Sequence, residues 1–306
     1  MSNIESNIYS RQVELLIRLI PIIMEEGVFA IHGGSAINLF LKNLPRYSVD
    51  VDLTYIPLTD RRSSIDDINS HLLSIGNKAS RSLKGITIVP KLSTCKLLCE
   101  HQGRQVKIEV NQTKRGIFGG EILTLPLSDK AQKEFSLYCE AKIVPLTMLY
   151  GGKIAAALSR QHPRDLFDVK YMEFPLSKCR EGVIFNLLSS DRPIYESLAP
   201  NLIDQREAFE KQFSGMTDTP FTYEEFEATR SNLIKEINSL MAEEDKQFLI
   251  SFESGNPFWE GYEFEYFKDY PSVQWKLLNL KKLAKQNPKK LQNGVELLKT
   301  HLFPPR

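Results

Sequence analysis

Val28-Phe29-Ala30-Ile31-His32-Gly33-Gly34-Ser35, followed by Val49-Asp50-Val51-Asp52-Leu53-Thr54-Tyr55-Ile56, is the part of the chain that decides how it folds. In the first segment an apolar run enters two glycines and a serine, and Ala36 to Leu41 then takes a helical texture. That is a strand, a tight turn and a helix N-terminus. In the second segment apolar and polar residues alternate, which is the period of a strand with one buried face. Aspartates at i and i+2 of a strand project to the same side. Asp50 and Asp52 therefore sit together, opposite Val49, Val51 and Leu53.

Upstream, Ser10 is suited to cap a helix in which Val13, Leu16, Ile17, Ile20 and Ile23 recur at helical spacing before Gly27 ends the run. Downstream, Asp60 to Ile75 is amphipathic and helical, and Gly85–Val89, Cys95–Cys99 and Val106–Val110 have strand patterns. From Pro145 the texture is helical, broken at Pro163, with connections at Pro200, Gly215, Pro220 and Gly255-Asn256-Pro257. The expected fold is α+β. Residues 1–172 form a mixed sheet flanked by helices, and 173–306 form a mostly helical second domain.

The chain has 306 residues, 42% hydrophobic and 25% charged, within the globular range and long enough for two domains. Lys+Arg 39 against Asp+Glu 38 gives a net charge of +1, so any anionic partner is held by a local site rather than by bulk charge. Cys95, Cys99, Cys139 and Cys179 lack disulfide or zinc-ligand spacing and read as reduced thiols. No signal pattern is present. The greasiest run, Val13 to Met24, is interrupted by Glu14, Arg18 and Pro21 and is too short for a membrane span, so a cytoplasmic location is expected.

Adjacent carboxylates repel unless a cation sits between them, and hard oxygen ligands with substrate phosphates suit Mg²⁺. Alone, Asp50 and Asp52 read equally as a solvated strand face. Gly33-Gly34-Ser35 adds free backbone N–H groups and a positive helix end, a cradle for an anion. Glu109, in the strand Val106–Val110, either completes a metal site or takes a proton from an attacking hydroxyl. Lys107 shares its face, so a surface ion pair competes with both. Lys153, Ala157 and Arg160 fall at i, i+4 and i+7 of a helix. That places two cations on one face, suited to a triphosphate or to a solvated helix end. Arg164-Asp165 opens the next helix after Pro163, with Asp168 one turn on, and Asp165 there also complements the helix dipole.

His32, beside the glycines, lacks a metal-ligand partner and reads as structural. Phe258, Trp259, Tyr262, Phe264, Tyr266, Phe267 and Trp275 read as packing before base stacking. The basic stretch from Lys276, with Lys281, Lys282, Lys285, Lys289 and Lys290, is a solvated face or an RNA track.

In its order of Gly33-Gly34-Ser35, Asp50-Val-Asp52 and a strand-borne Glu109, the chain resembles the nucleotidyltransferase superfamily related to polymerase beta. More narrowly, GGSAINLF, RYSVDVDLTYI, GGKIAAALSRQHPRDLFDV, FLISFESGNPFW and QWKLLNL are similar to the AbiEii/AbiGii group of toxin nucleotidyltransferases. The similarity runs from about Ile31 to Leu280. Residues 36–49 separate Ser35 from Asp50, a little more than the group's usual spacing, which a longer connecting loop absorbs.

The resemblance implies transfer of NMP from an NTP to an acceptor hydroxyl, dependent on Mg²⁺ or Mn²⁺. In that reading Asp50, Asp52 and Glu109 hold the metal. Gly33, Gly34, Ser35, Lys153, Arg160 and Arg164 bind the nucleotide, and Lys153 and Asp165 belong to the catalytic set. It also implies a toxin of a type IV toxin–antitoxin or phage-defence system, acting on tRNA, with an antitoxin encoded nearby and no membrane partner. Two alternatives stay open: a small-molecule nucleotidyltransferase of the antibiotic-modifying kind, and a nucleotide-binding scaffold without transfer activity.

Overall fold

The computed structural model describes residues 2–304. It divides into two compact units, Met1–Pro145 with Lys211–Pro220, and Leu146–Glu210 with Phe221–Arg306. The division expected at 172/173 therefore lies inside the second unit. Its reason is packing: the helices that follow Pro145 are amphipathic and bury their apolar faces against later helices of the same unit.

The first unit opens with α1 (Ser2–Met24), followed by β1 (Phe29–His32). Next come α2 (Gly33–Ser35), which continues as a π-helical turn over Ala36–Leu41, and β2 (Val51–Tyr55). Ser10 lies inside α1 rather than at its cap, and its hydroxyl donates to Glu134. α3 (Arg61–Ser82) starts at Asp60, whose carboxylate caps it by accepting from the Arg62 and Ser63 amides, and it continues about two turns beyond Ile75, where Gly76 and Ala79 are buried. Then come β3 (Thr87–Lys91), β4 (Lys96–His101) and β5 (Arg104–Val110). β6 (Leu123–Pro126), α4 (Asp129–Phe135) and β7 (Glu140–Ile143) complete the unit.

The strands form one mixed sheet in the order β3-β4-β5-β2-β1-β7-β6. β2 is antiparallel to β1 and parallel to β5, and β7 is parallel to β1. α1 and α3 cover one face. Leu16, Ile20, Ile23, Ile68, Leu72 and Ile75 from the helices and Ile31, Val51, Leu97, Val106 and Ile108 from the strands are all fully buried. All four cysteines are free and buried.

The second unit contains α5 (Leu146–Arg160), α6 (Pro163–Lys170), α7 (Arg180–Ser189), α8 (Ile194–Leu198) and α9 (Arg206–Ala208). It ends with α10 (Tyr223–Leu240), α11 (Glu243–Glu253), α12 (Pro271–Gln286) and α13 (Pro288–Leu302). α5 and α7 meet backbone to backbone at Gly151 and Gly182. A Cβ on Gly151 would fall 2.4 Å from the Gly182 carbonyl carbon, and one on Gly182 would fall 2.0 Å from the Thr147 carbonyl oxygen. Helix backbone cannot move aside as a side chain can. Gly182→Ala is expected to lower stability by about 3 kcal/mol, the upper end of overpacking costs. A denaturant midpoint unchanged from wild type would show that the two helices part freely.

Most of the C-terminal aromatic residues pack as expected. Phe248 stacks on Tyr262 with ring centroids 3.8 Å apart, and Tyr262 donates to Asp245, which also takes a forked pair of bonds from Arg180. Phe258 and Trp275 remain exposed. The basic stretch divides: Lys281, Lys282, Lys285, Lys289 and Lys290 are exposed, whereas Lys276 is buried and donates to the Leu187 and Arg192 carbonyls.

Burial pushes the Lys276 ammonium down to about 8, with Glu253 and Asp191 offsetting part of the effect. Below that value the folded chain carries the full penalty of a buried charge. Between about 8 and the ordinary 10.5 the unfolded chain binds a proton that the folded chain has lost, so stability gains from this group as pH rises. Lys276→Met removes that gain. Its Tm relative to wild type is expected to fall steadily between pH 7 and pH 10, and a constant difference in thermal melts would refute the assignment. Among the described residues no helix is long and apolar enough to cross a membrane.

Candidate active site

β1 delivers its last residue, His32, into register with Asp52, and β5 sets Glu109 level with Asp52 on the other side of β2. Directly after His32 the chain turns at Gly33, whose φ of +73° is open to glycine at little steric cost. A Cβ there would lie 2.6 Å from the Asp52 carboxylate oxygen Oδ2. The turn and the second aspartate thus approach more closely than any residue with a Cβ would allow. At Gly34 a Cβ would meet Ser48 Oγ at 2.8 Å and Arg46 Nη2 at 2.9 Å. Two side chains unremarked in the sequence therefore abut the turn.

Ser35 is buried, and its hydroxyl hydrogen-bonds Ser48 Oγ and the Asp50 backbone carbonyl. It ties the turn to the chain entering β2. Residues 36–49, the long connection noted in the sequence, are taken up by a wide helical turn and a loop. There the Lys42 amide donates to the Ile37 carbonyl, five residues back, and the Leu44 amide to Asn38. Arg46 is buried and donates to the Tyr47 carbonyl. Asp50 lies one residue before β2 and Asp52 within it, both partly exposed.

Glu109 is drawn into an ion pair with two lysines, Lys96 at 3.0 Å and Lys107 at 2.9 Å. Lys107 Nζ also lies 3.9 Å from Asp50 Oδ2. Burial pushes the Glu109 carboxyl up, but the hydrogen bonds and charges of Lys107 and Lys96 outweigh it and hold it below the ordinary carboxylate range. Burial likewise lowers Lys107, and Glu109 and Asp50 more than reverse that, leaving it raised.

Among the described residues no three His, Cys, Asp or Glu side chains gather closely enough to hold a metal by themselves. Asp50 and Asp52 nevertheless suit Mg²⁺, which takes one or two carboxylates and completes its shell with waters and substrate phosphates. The Lys107 ammonium, between Asp50 and Glu109, already acts as a cation at the edge of that site.

The remaining predicted residues belong to the second unit. Lys153 is buried, with its ammonium 3.0 Å from Asp165 and 2.9 Å from Asp168, both buried as well. Arg160, 62% exposed, closes a fork on Asp165, with Nη2 2.9 Å from Oδ1 and Nε on Oδ2. Burial pushes the Asp165 carboxyl up, and the charges of Lys153 and Arg160 overcome this to hold it well below its usual range. The shared helix face read for Lys153 and Arg160 becomes a shared carboxylate, and Asp168 is a full member of the cluster. Arg164 is half-buried at the start of α6, where its amide donates to His162 Nδ1.

The structure thus brings Gly33, Gly34, Ser35, Asp50, Asp52 and Glu109 together in one unit and Lys153, Arg160, Asp165 and Arg164 near one another in the other. Arg46 and Ser48 were legible as a polar pair at i−4 and i−2 from Asp50. Lys96 gave no local signal, since only strand register sets it against Glu109.

The sequence model for the family described as "Nucleotidyl transferase AbiEii toxin, Type IV TA system" matches residues 15–278. A sequence search of curated proteins finds no match. Among solved structures the chain is similar to MenT4, nucleotidyltransferase toxin Rv2826c from Mycobacterium tuberculosis H37Rv. That likeness has a TM-score of 0.58 at 12% identity and covers 97% of this chain and 94% of that one.

Proposed function

Since the chain belongs to the AbiEii family of nucleotidyl transferase toxins, we propose that it moves NMP from an NTP to a hydroxyl of an RNA acceptor, namely the tRNA 3′ end. The observation that carries this is the contact between the Gly33 turn and Asp52, which sets an anion cradle against a carboxylate pair. Asp50 and Asp52 would hold Mg²⁺, or Mn²⁺ in its place, and the ion would supply counter-charge for the triphosphate.

The backbone amides of Gly33 and Gly34 face the phosphates, and Ser35 fixes the turn to the Asp50 carbonyl. Glu109, held ionised by its lysines, is a weak proton acceptor at neutral pH. Its work is to orient Lys107 toward the phosphate charge. Lys153 and Asp165 are assigned to the catalytic set as the positions that match the lysine and aspartate of the resembled group, and Lys153, Arg160 and Arg164 are assigned to nucleotide binding. Neutralisation by an antitoxin is in keeping with the type IV family description; that the antitoxin is encoded nearby, and that the pair serves phage defence, are further parts of this proposal.

The test is incubation of the protein with each α-labelled NTP and Mg²⁺, in parallel with total tRNA and with aminoglycosides. Label in tRNA supports the reading. Label in the drugs, or none in any acceptor despite nucleotide binding, overturns it.

A further inference from the structure

We propose that a basic cleft of the sheet unit, between α1 and the β4–β5 hairpin, grips the phosphate backbone of the RNA acceptor, an inference that rests on the acceptor reading above. The cleft has a volume of about 360 Å³. Its walls carry Arg11, Glu14 and Arg18 of α1, Lys84 after α3, and His101 and Arg104 at the hairpin. Glu14 is taken up by Arg18 at 2.8 Å, one turn along the helix. Arg104 reaches only Gln102 Oε1, at 3.5 Å, and among the described residues neither Arg11, Lys84 nor Arg104 has a carboxylate partner. In a chain whose net charge is +1, four permanent cations facing one carboxylate in a single concavity is a local excess. Cations that serve only solubility are interspersed with acids on convex surface.

The walls are built to hold their places. Gln102 and Gly103, with φ of 51° and 74°, make the two-residue turn that a tight hairpin requires. His101 Nε2 lies 3.2 Å from the Lys84 carbonyl and joins the hairpin to the end of α3.

The spacing selects the ligand. Arg11 and Arg18 are two helical turns apart, about 10.5 Å, which is more than one phosphate group spans. The cations stand on long side chains, most of them from separate elements, no Phe, Tyr or Trp ring lines the cleft to stack a base, and the His101 ring is tied to the Lys84 carbonyl. This is the chemistry of sequence-independent backbone contact along a strand. Arg104 opens β5, and Glu109 lies five residues on, about 17 Å along the strand and on its opposite face. The cleft therefore anchors the body of the RNA, away from its reacting end.

The test is an Arg11→Gln/Arg104→Gln variant, made both in the active protein and with Asp52→Asn, so that binding is read without transfer. With a fluorescently labelled tRNA transcript, the Kd at 0.15 M salt is expected to rise about tenfold. The slope of log K against log salt is expected to fall by roughly 0.7–0.9 per lost contact. In the active protein KM for tRNA rises, while kcat and KM for NTP hold. Unchanged tRNA affinity and salt slope, in a protein that labels tRNA, overturns the cleft alone. A raised KM for NTP with tRNA affinity intact also overturns it, in favour of a nucleotide site. Failure of the parent protein to label tRNA while it labels another acceptor removes the acceptor reading and the cleft proposal together.

Discussion

Asp52→Asn is expected to cut nucleotide transfer by about a thousandfold or more while leaving the thermal transition where it was. The substitution keeps the shape of the side chain and removes the charge that a divalent ion requires. A thousandfold corresponds to roughly 4 kcal/mol of transition-state stabilisation, within what a metal's charge supplies at a phosphoryl centre. Asp52 is partly exposed, and asparagine keeps its size, so the close packing against the Gly33 turn is preserved. Initial rates of label incorporation, set beside a melting curve, check both halves of the expectation. Transfer at the wild-type rate would show that the aspartate pair holds no metal.

Lys153→Met has its largest effect on the fold. The ammonium is 5% exposed and held between Asp165 and Asp168, themselves 2% and 1% exposed. Removing it takes the shared ammonium from two buried carboxylates, and breaking a buried pair in this way costs about 3–5 kcal/mol. That is a fall in Tm on the order of 10 °C for a protein of this size. The pH dependence gives a second signature. Asp165 is depressed in the folded state, so its contribution is complete above the ordinary carboxylate value of 3.8 and is lost as pH falls through the lower folded value. In Lys153→Met the depression is weaker and acid unfolding begins at a higher pH. Differential scanning calorimetry between pH 2 and 7 reads both. A variant as stable as wild type at every pH would mean that the cluster contributes nothing to the fold.

The parts of this architecture that were legible in the sequence are those written in short-range patterns. Period-two alternation marked β2 and β5, and the glycine pair marked the turn, because side-chain direction and backbone freedom are local properties. β6 and β7 escaped notice because neither is followed by a glycine turn of the kind that marks β1 in the chain. β7 is specified by its parallel pairing with β1, which no neighbouring residue announces. The same limit applied to charge. Lys153 and Lys276 look like surface lysines in the chain, and only tertiary packing buries them. Glu109 looked like a third acid for a metal, while strand register had already placed Lys96 opposite it. The unit boundary fell earlier than expected because α5 looks amphipathic whichever partner it packs against.

The lysine between Asp50 and Glu109 has a consequence for the protein before any nucleotide arrives. Many metalloproteins need their ion to reach the native state, because unpaired acids push the fold apart. Here Lys107 and Lys96 supply internal counter-charge, so the acids stand together at the central strands β2 and β5 without help from solution. Folding and catalytic readiness are thereby separated. A chelator is therefore expected to leave the architecture standing, and the chain is able to reach its finished form before any metal or substrate arrives.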